Sequence, residues 1–326
     1  MVNSVLLVIS CDIPTPVLHL TNDRQGNNTD LIGDRVRKGT VSTISAMTIC
    51  TDSSMGIYTI NSQLLLYHSV FTQTVLNNSK SWTRLSKNDI SKLSSVQMKF
   101  LKWMLHTPRG TCNSFTLLEL GILPIQSALN LRKLSFLHHI LNLDENDPVK
   151  QVYEEQKRLL FEPNWANEVK VLIEDLSLPN DETVIKSTSK WQWKNLTKTA
   201  VTNKALNDLN DECLSKKKTA GVPRYTSLKK QSYFDHLYPS KARMLFKIRA
   251  FVYDIKANRS YSYKDEICRL CGAENEDTWH ILNDCSKVAR STDLRILDVY
   301  KLSDESMHET LTRFESFQTQ VNEIEA

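Results

Sequence analysis

No apolar run in this chain approaches the roughly 20 residues that a membrane-spanning helix needs, so no membrane partner is expected. Internal repeats and low-complexity tracts are also missing. The N-terminal stretch Val5-Leu6-Leu7-Val8-Ile9 lacks a basic flank and a small-residue cleavage site. It therefore reads as a buried strand rather than a signal peptide. The Asn-x-Ser/Thr triplets beginning at Asn27, Asn77, Asn195 and Asn258 then carry no glycosylation message, and an intracellular location is expected. An even framework of cysteines is absent too. Of the seven, Cys11, Cys50, Cys112 and Cys213 are scattered, while Cys268, Cys271 and Cys285 share one short window. That distribution excludes a secreted disulfide scaffold and points to a metal site plus lone buried thiols.

What is present is ordinary for a globular chain: 326 residues, 40% apolar and 24% charged, enough for two or three domains with a real core. The net charge of +4 conceals a local pattern. Between Lys216 and Lys264, thirteen bases are opposed only by Asp235 and Asp254, whereas the stretch after Lys264 carries fourteen acids and six bases. A local basic stretch bears on partners rather than on fold.

Apolar periodicity is helical along most of the chain. Strands are expected only at residues 5–9 and 17–20. Asp30 is placed to cap a helix through Ile32, Val36, Val41 and Ile44. Leu64, Leu65, Tyr67, Val70, Phe71 and Val75 would share one face of a first long helix. Ser86 and Asp89 form a capping-box candidate for the next, with Ile90, Leu93, Phe100, Leu101 and Met104 as its apolar face. A short helix should stop at Gly121, and Asp147-Pro148 should open another. Further on, a linker is expected over 177–181, a long polar helix over 191–214 and a helix over 241–254. The acidic tail from Ser303 reads as loosely ordered.

The sharpest chemical signal is Cys268-x₂-Cys271-x₈-His280-x₄-Cys285. Three thiolates and one imidazole make the closed tetrahedral set of a structural zinc, with no position left for catalytic water. Gly272 relieves the backbone after the Cys-x-x-Cys turn. The bland alternative is three free thiols or a redox pair, but no thioredoxin-like strand–helix frame surrounds them.

The string Cys268-Arg269-Leu270-Cys271-Gly272, then Glu276-Asp277-Thr278, His280-Ile281-Leu282 and Cys285, resembles the C-terminal zinc knuckle of LINE-type (non-LTR) retrotransposon polyproteins. Upstream, Asp34-Arg35-Val36-Arg37-Lys38-Gly39, Ser81-Trp82, Gln97-Met98-Lys99-Phe100-Leu101 and Glu119-Leu120-Gly121-Ile122-Leu123-Pro124-Ile125 are similar to that family's thumb. Arg290-Ser291-Thr292-Asp293 resembles its Arg-His-Asp stretch, with Ser-Thr where Arg-His would stand. The resemblance covers roughly residues 17–300. It implies a mainly α fold: a multi-helical thumb-like domain, a short β remnant at the N-terminus and a small C-terminal zinc knuckle. The implied divisions are a palm remnant (1–58), the thumb-like domain (59–178), a helical basic linker region (179–264), the knuckle (265–300) and an acidic tail (301–326). The family's polymerase needs an Asp-Asp turn to hold two metal ions, and no Asp-Asp pair occurs here. Its endonuclease carboxylates are not reached either. The resemblance thus implies a nucleic-acid partner, RNA or DNA, without enzymatic activity; the Lys216-Lys217-Lys218 triplet is a candidate nuclear-import signal, and a nuclear location is expected.

In the basic zone, Tyr225, Tyr233, Phe234, Tyr238, Phe246, Phe251, Tyr253, Tyr261 and Tyr263 interleave with the bases. Bases neutralise phosphates, and aromatic faces stack on unpaired bases. The candidate contacts are Lys216, Lys217, Lys218, Lys229, Lys230, Lys241, Arg243, Lys247, Arg249 and Arg259. The competing reading makes about half of these residues one helix's core and its solvated face. A different class of function is also open, in which acidic Glu274, Glu276, Asp277 and Asp284 bind a protein partner. His138-His139 and the pair Trp191 and Trp193 read as core or surface residues, since adjacent helical histidines do not face one metal.

Overall fold

The computed structural model describes residues 29–51, 59–83, 85–159, 164–258, 262–263, 265–289, 294, 298–301 and 303–326. The expected strands at 5–9 and 17–20, the Arg290–Asp293 stretch and Arg259 lie outside them. Among the described residues the architecture is mainly α, and the only β pairing is an isolated antiparallel bridge between Ile267 and Asn275.

The first helix, α1 (Thr29–Thr51), packs along α4 (Lys87–Met104). Between them, α2 (Ile60–Leu66) runs through a π-helical turn (Tyr67–Phe71) into α3 (Thr72–Val75). Sequence periodicity places Leu65 and Val70 on the buried face, but they are 68% and 42% exposed. Leu65 lies ahead of the π turn, and both residues flank the buried stripe of Ile60, Gln63, Leu64, Tyr67, Phe71 and Val75, whose spacing keeps the helical period. The Ser86 capping box forms as expected, with Asp89 returning a bond to the Ser86 backbone N–H.

Helix α5 (Asn113–Leu120) ends at Gly121, whose φ of +63° is left-handed. A Cβ there would also run into the backbone of Lys229 and Lys230, so two constraints require glycine at this turn. Beyond Pro124 comes α6 (Ile125–Leu141), then α7 (Pro148–Arg158), capped by Asp147, α8 (Trp165–Asp175) and the short α9 (Glu182–Ser187). The expected linker at 177–181 is a tight connection in which Leu178 is buried. No single described helix is long and apolar enough to cross a membrane; α5 and α6 reach that composition only together, across a 57° bend.

Helix α10 (Lys190–Ser215) is the long helix anticipated from the sequence, opened by a Ser189–Gln192 capping box. It crosses two cores. Trp193 and Val201 join the cluster built by α6 to α9 (Leu134, Leu137, Trp165, Val169, Ile173), while Leu206, Leu209 and Cys213 join the cluster around α1 to α5. After α11 (Tyr233–His236), α12 (Pro239–Arg249) completes that cluster with Ala242, Leu245 and Phe246. Ile248 on its other face opens a third core.

The third core holds the cysteine region. A short α13 (Asp298–Lys301) precedes α14 (Asp304–Glu325), which places Phe314, Phe317 and Val321 against Ile281, Leu282 and Val288. The tail is therefore a packed helix and not a loosely ordered segment. Ser303 caps it, and Met307, Leu311, Phe314, Phe317 and Val321 follow helical spacing beneath the acids.

Candidate metal centre and basic surfaces

Cys268 leaves the Ile267–Asn275 bridge, and its backbone N–H donates to the Glu274 carbonyl. The chain then turns tightly, the Gly272 N–H donating to the Cys268 carbonyl while Gly272 takes a left-handed φ of +68°. This turn brings Cys271 back beside Cys268. His280 begins a π-helical turn (His280–Asp284), and Cys285 caps it with its N–H on the His280 carbonyl.

The four ligand atoms lie within 4.8 Å of one another and could hold a metal ion. Zinc bonds of about 2.3 Å to sulfur and about 2.0 Å to nitrogen set tetrahedral edges of about 3.8 Å and 3.6 Å. Cys268 Sγ to Cys285 Sγ is 3.9 Å, and Cys271 Sγ to His280 Nε2 is 3.2 Å. The residues fit the ion. His280 points Nε2 inward while Nδ1 lies 3.3 Å from Glu274 Oε2, the carboxylate partner that orients a ligating imidazole. Burial pushes the Cys285 thiol up, to about 12. Burial acts the same way on Cys271, but hydrogen bonds from the Ala273 backbone, Cys268, the Glu274 backbone and His280 outweigh it and bring that thiol down to about 7.

A buried ion pair braces the turn. Glu276, with no exposed surface, accepts from the Arg269 guanidinium at 2.7 Å and from the backbone N–H groups of Arg269 and Lys256. Burial alone would lower the Arg269 guanidinium; its bonds to Glu276 and Glu325 hold it above its ordinary value. Glu276 is thus committed internally and is no docking residue for a basic partner. Neither is Asp277 wholly free, since its carboxylate caps the His280 N–H at 2.8 Å.

The ten candidate phosphate contacts separate. Arg249 is corrected: it is 2% exposed, and its guanidinium is held by Glu119 at 2.7 Å and by the Val299 carbonyl. Helical periodicity places it on the inner face of α12, next to Phe246 and Ile248. Lys230 pairs with Asp235, and Lys241 with Glu315 at 3.2 Å. Arg243 donates to the Met104 carbonyl and to Gln63 Oε1. Together with Lys247 and His106 it lines a cavity of about 450 Å³. Burial and then these two cations push the His106 imidazole down.

Lys216, Lys217 and Lys218 remain exposed just past α10. They border a cavity of about 420 Å³ with Lys102 and Arg109, two bases that sequence reasoning missed. Only Glu212 opposes these five on the cavity wall. Nothing local could have revealed the grouping, because α10 brings residue 216 beside residue 102 only through the tertiary fold.

Cys112, at the N-terminus of α5, lies in the same cavity and faces Cys213. The Cys213 thiol donates to it, and against the opposing effect of burial the backbone N–H groups of Phe115 and Ser114 add to the pull, so Cys112 is lowered to about 6. A thiolate is the reactive form. Alkylation of Cys112 by iodoacetamide should therefore rise to half its maximum near pH 6 (about two units or more below an ordinary thiol), as read by peptide mass spectrometry. Cys213→Ser should move that midpoint; an ordinary thiol midpoint in the native protein would refute the pairing.

No protein-family model matches the chain, and neither a curated protein nor a solved structure matches it.

Proposed function

We propose that the chain is a catalytically inactive, zinc-dependent nucleic-acid-binding protein derived from a non-LTR retrotransposon reverse transcriptase. Zinc is the metal favoured by a closed Cys₃His set, and its role there is structural. The observation that carries nucleic-acid binding is the convergence of Lys102, Arg109, Lys216, Lys217 and Lys218 on one cavity with a single opposing acid. Clustered bases displace condensed counterions from a phosphate backbone, a gain that needs no sequence-specific contact. The ancestry rests on the motif order described above, and the lack of activity on the absence of an Asp-Asp turn.

Binding to single-stranded RNA and to duplex DNA should weaken steeply with salt. Five neutralised phosphates give a log–log slope of roughly −3.5 to −4.5. Reversing Lys216, Lys217 and Lys218 to glutamate should flatten that slope by about three phosphates' worth. Weak binding at low salt, or a slope unchanged by the triple reversal, would refute the proposal.

A further inference from the structure

A cavity of about 640 Å³ lies away from the basic zone, between α6 and the start of α10, with the Asn77–Lys80 turn as its third side. No acidic side chain lines it, while Lys80, Arg132, Lys190 and Lys194 do. Lys190 and Lys194 are exposed, one helical turn apart on α10, and form no ion pair among the described residues. Arg132 is anchored at the wall by its bonds to the Leu76 carbonyl (2.7 Å) and Gln73 Oε1 (3.1 Å). Four cations with no compensating carboxylate make a site for an anion.

The same wall carries rings. Trp165 meets Phe136 edge-on at 5.5 Å, and Phe136 lies nearly parallel to His139 at 6.1 Å, so exposed His139 is the outer ring of a supported series. The neighbouring His138 is fixed differently: it stacks on buried Trp193 and contacts the Thr188 carbonyl at 2.8 Å. The adjacent histidines thus divide, one holding the wall together and one presenting a free face. Ser79 also lines this cavity, and its hydroxyl is fully buried with no hydrogen-bond partner.

From this combination we infer that the cleft between α6 and α10 binds an unpaired nucleotide of a single-stranded nucleic acid, its phosphate on Lys190, Lys194 and Arg132 and its base on His139. A duplex does not fit this chemistry, because a paired and stacked base offers no free face to the ring. The inference deepens the nucleic-acid reading and rests on it only for the class of ligand. It adds a second location and fixes the form of the polymer there.

The test is a fluorescence-anisotropy titration of the full, zinc-loaded chain with labelled hexauridylate and with a short duplex. Lys190→Glu with Lys194→Glu should weaken hexauridylate about tenfold or more and leave the duplex within about threefold. His139→Ala should weaken hexauridylate by roughly fivefold or more, and His139→Phe, which keeps a ring, should restore it. Equal losses on both polymers, or hexauridylate binding indifferent to His139, would overturn the inference. The triple reversal at Lys216–Lys218 separates the two sites. If it abolishes duplex binding while the Lys190 and Lys194 variant leaves hexauridylate untouched, the earlier proposal stands and this one falls. If the duplex is not bound at all but hexauridylate follows the His139 series, this site stands and the Lys216–Lys218 surface falls.

Discussion

Stripping the metal with a chelator at neutral pH should melt the C-terminal unit, residues 252–326, ahead of the rest of the protein. The ligands are not appended to a finished core; they are part of it. Cys268 and Cys285 are buried among Ile281, Leu282 and Val288, and α14 lays Phe314 and Phe317 on the turn that carries His280. Structural zinc contributes roughly 10–16 kcal/mol to the folding of isolated finger peptides. With free zinc a thousandfold above its dissociation constant, binding alone adds about 4 kcal/mol to the folded state. Without it, the four side chains lose their central bond, and α14 loses the surface it covers. Far-UV circular dichroism should show an early loss of helix in the stripped protein, accompanied by binding of a hydrophobic dye. Cys268→Ser should reproduce the effect, and excess zinc should not rescue it. A single transition, unmoved by chelator, would mean that the site does not hold a metal of structural weight.

Replacing Glu119 by alanine should cost about 3–5 kcal/mol, because it leaves a guanidinium buried without its counter-charge. Glu119 has no exposed surface on α5 and accepts from both Arg249 and the hydroxyls of Tyr225 and Tyr233. Tyr300 adds a bond to the Arg249 carbonyl at 2.7 Å. The cluster ties α5, the 225–233 segment, α12 and α13 into one knot. Burial, and then the carboxylate, hold both tyrosine hydroxyls well above their ordinary value. Neither should therefore ionise in an alkaline ultraviolet titration until the protein unfolds. Glu119→Leu combined with Arg249→Met removes both charges at once and should recover most of the loss, since an apolar pair often replaces a buried ion pair without penalty. Denaturant midpoints of the single and double variants decide the matter. Strictly additive losses would show that the two side chains are not coupled.

What could be read from the sequence was local. The four candidate metal ligands fall within one short window, and their spacing alone brings them to notice. Ser86 with Asp89, Gly121, Asp147-Pro148 and the long α10 were legible because caps and periodicity act over one or two turns. What escaped was tertiary. Glu119 and Arg249 are 130 positions apart, and nothing near either residue signals the other. Arg249 therefore counts as one more base in a basic zone until the fold turns it inward. Lys102 and Arg109 sit in an unremarkable stretch and gain their setting only when α10 returns beside α4 and α5. Leu65 and Val70, apolar but exposed, flank a buried stripe that keeps the 3.6 period through the π turn, so apolar type alone misplaces them. In α14 the pattern was present but masked, because its acids drew the reading before its buried face did.

The way the cores share the chain fixes an order of events during synthesis. The cluster around α6 to α9 draws only on residues 134–201, whereas the cluster of α1 to α5 also needs residues 206–250 and then Met307 and Leu311. The middle of the chain can close on itself as soon as it clears the ribosome. The earlier segment must wait for about 110 more residues, roughly 5–20 s at ordinary elongation rates. For that interval Phe71, Phe100 and Phe115, the first phenylalanines of the core to be made, have no complete partner surface. A nascent chain paused before α14 would present them to chaperones.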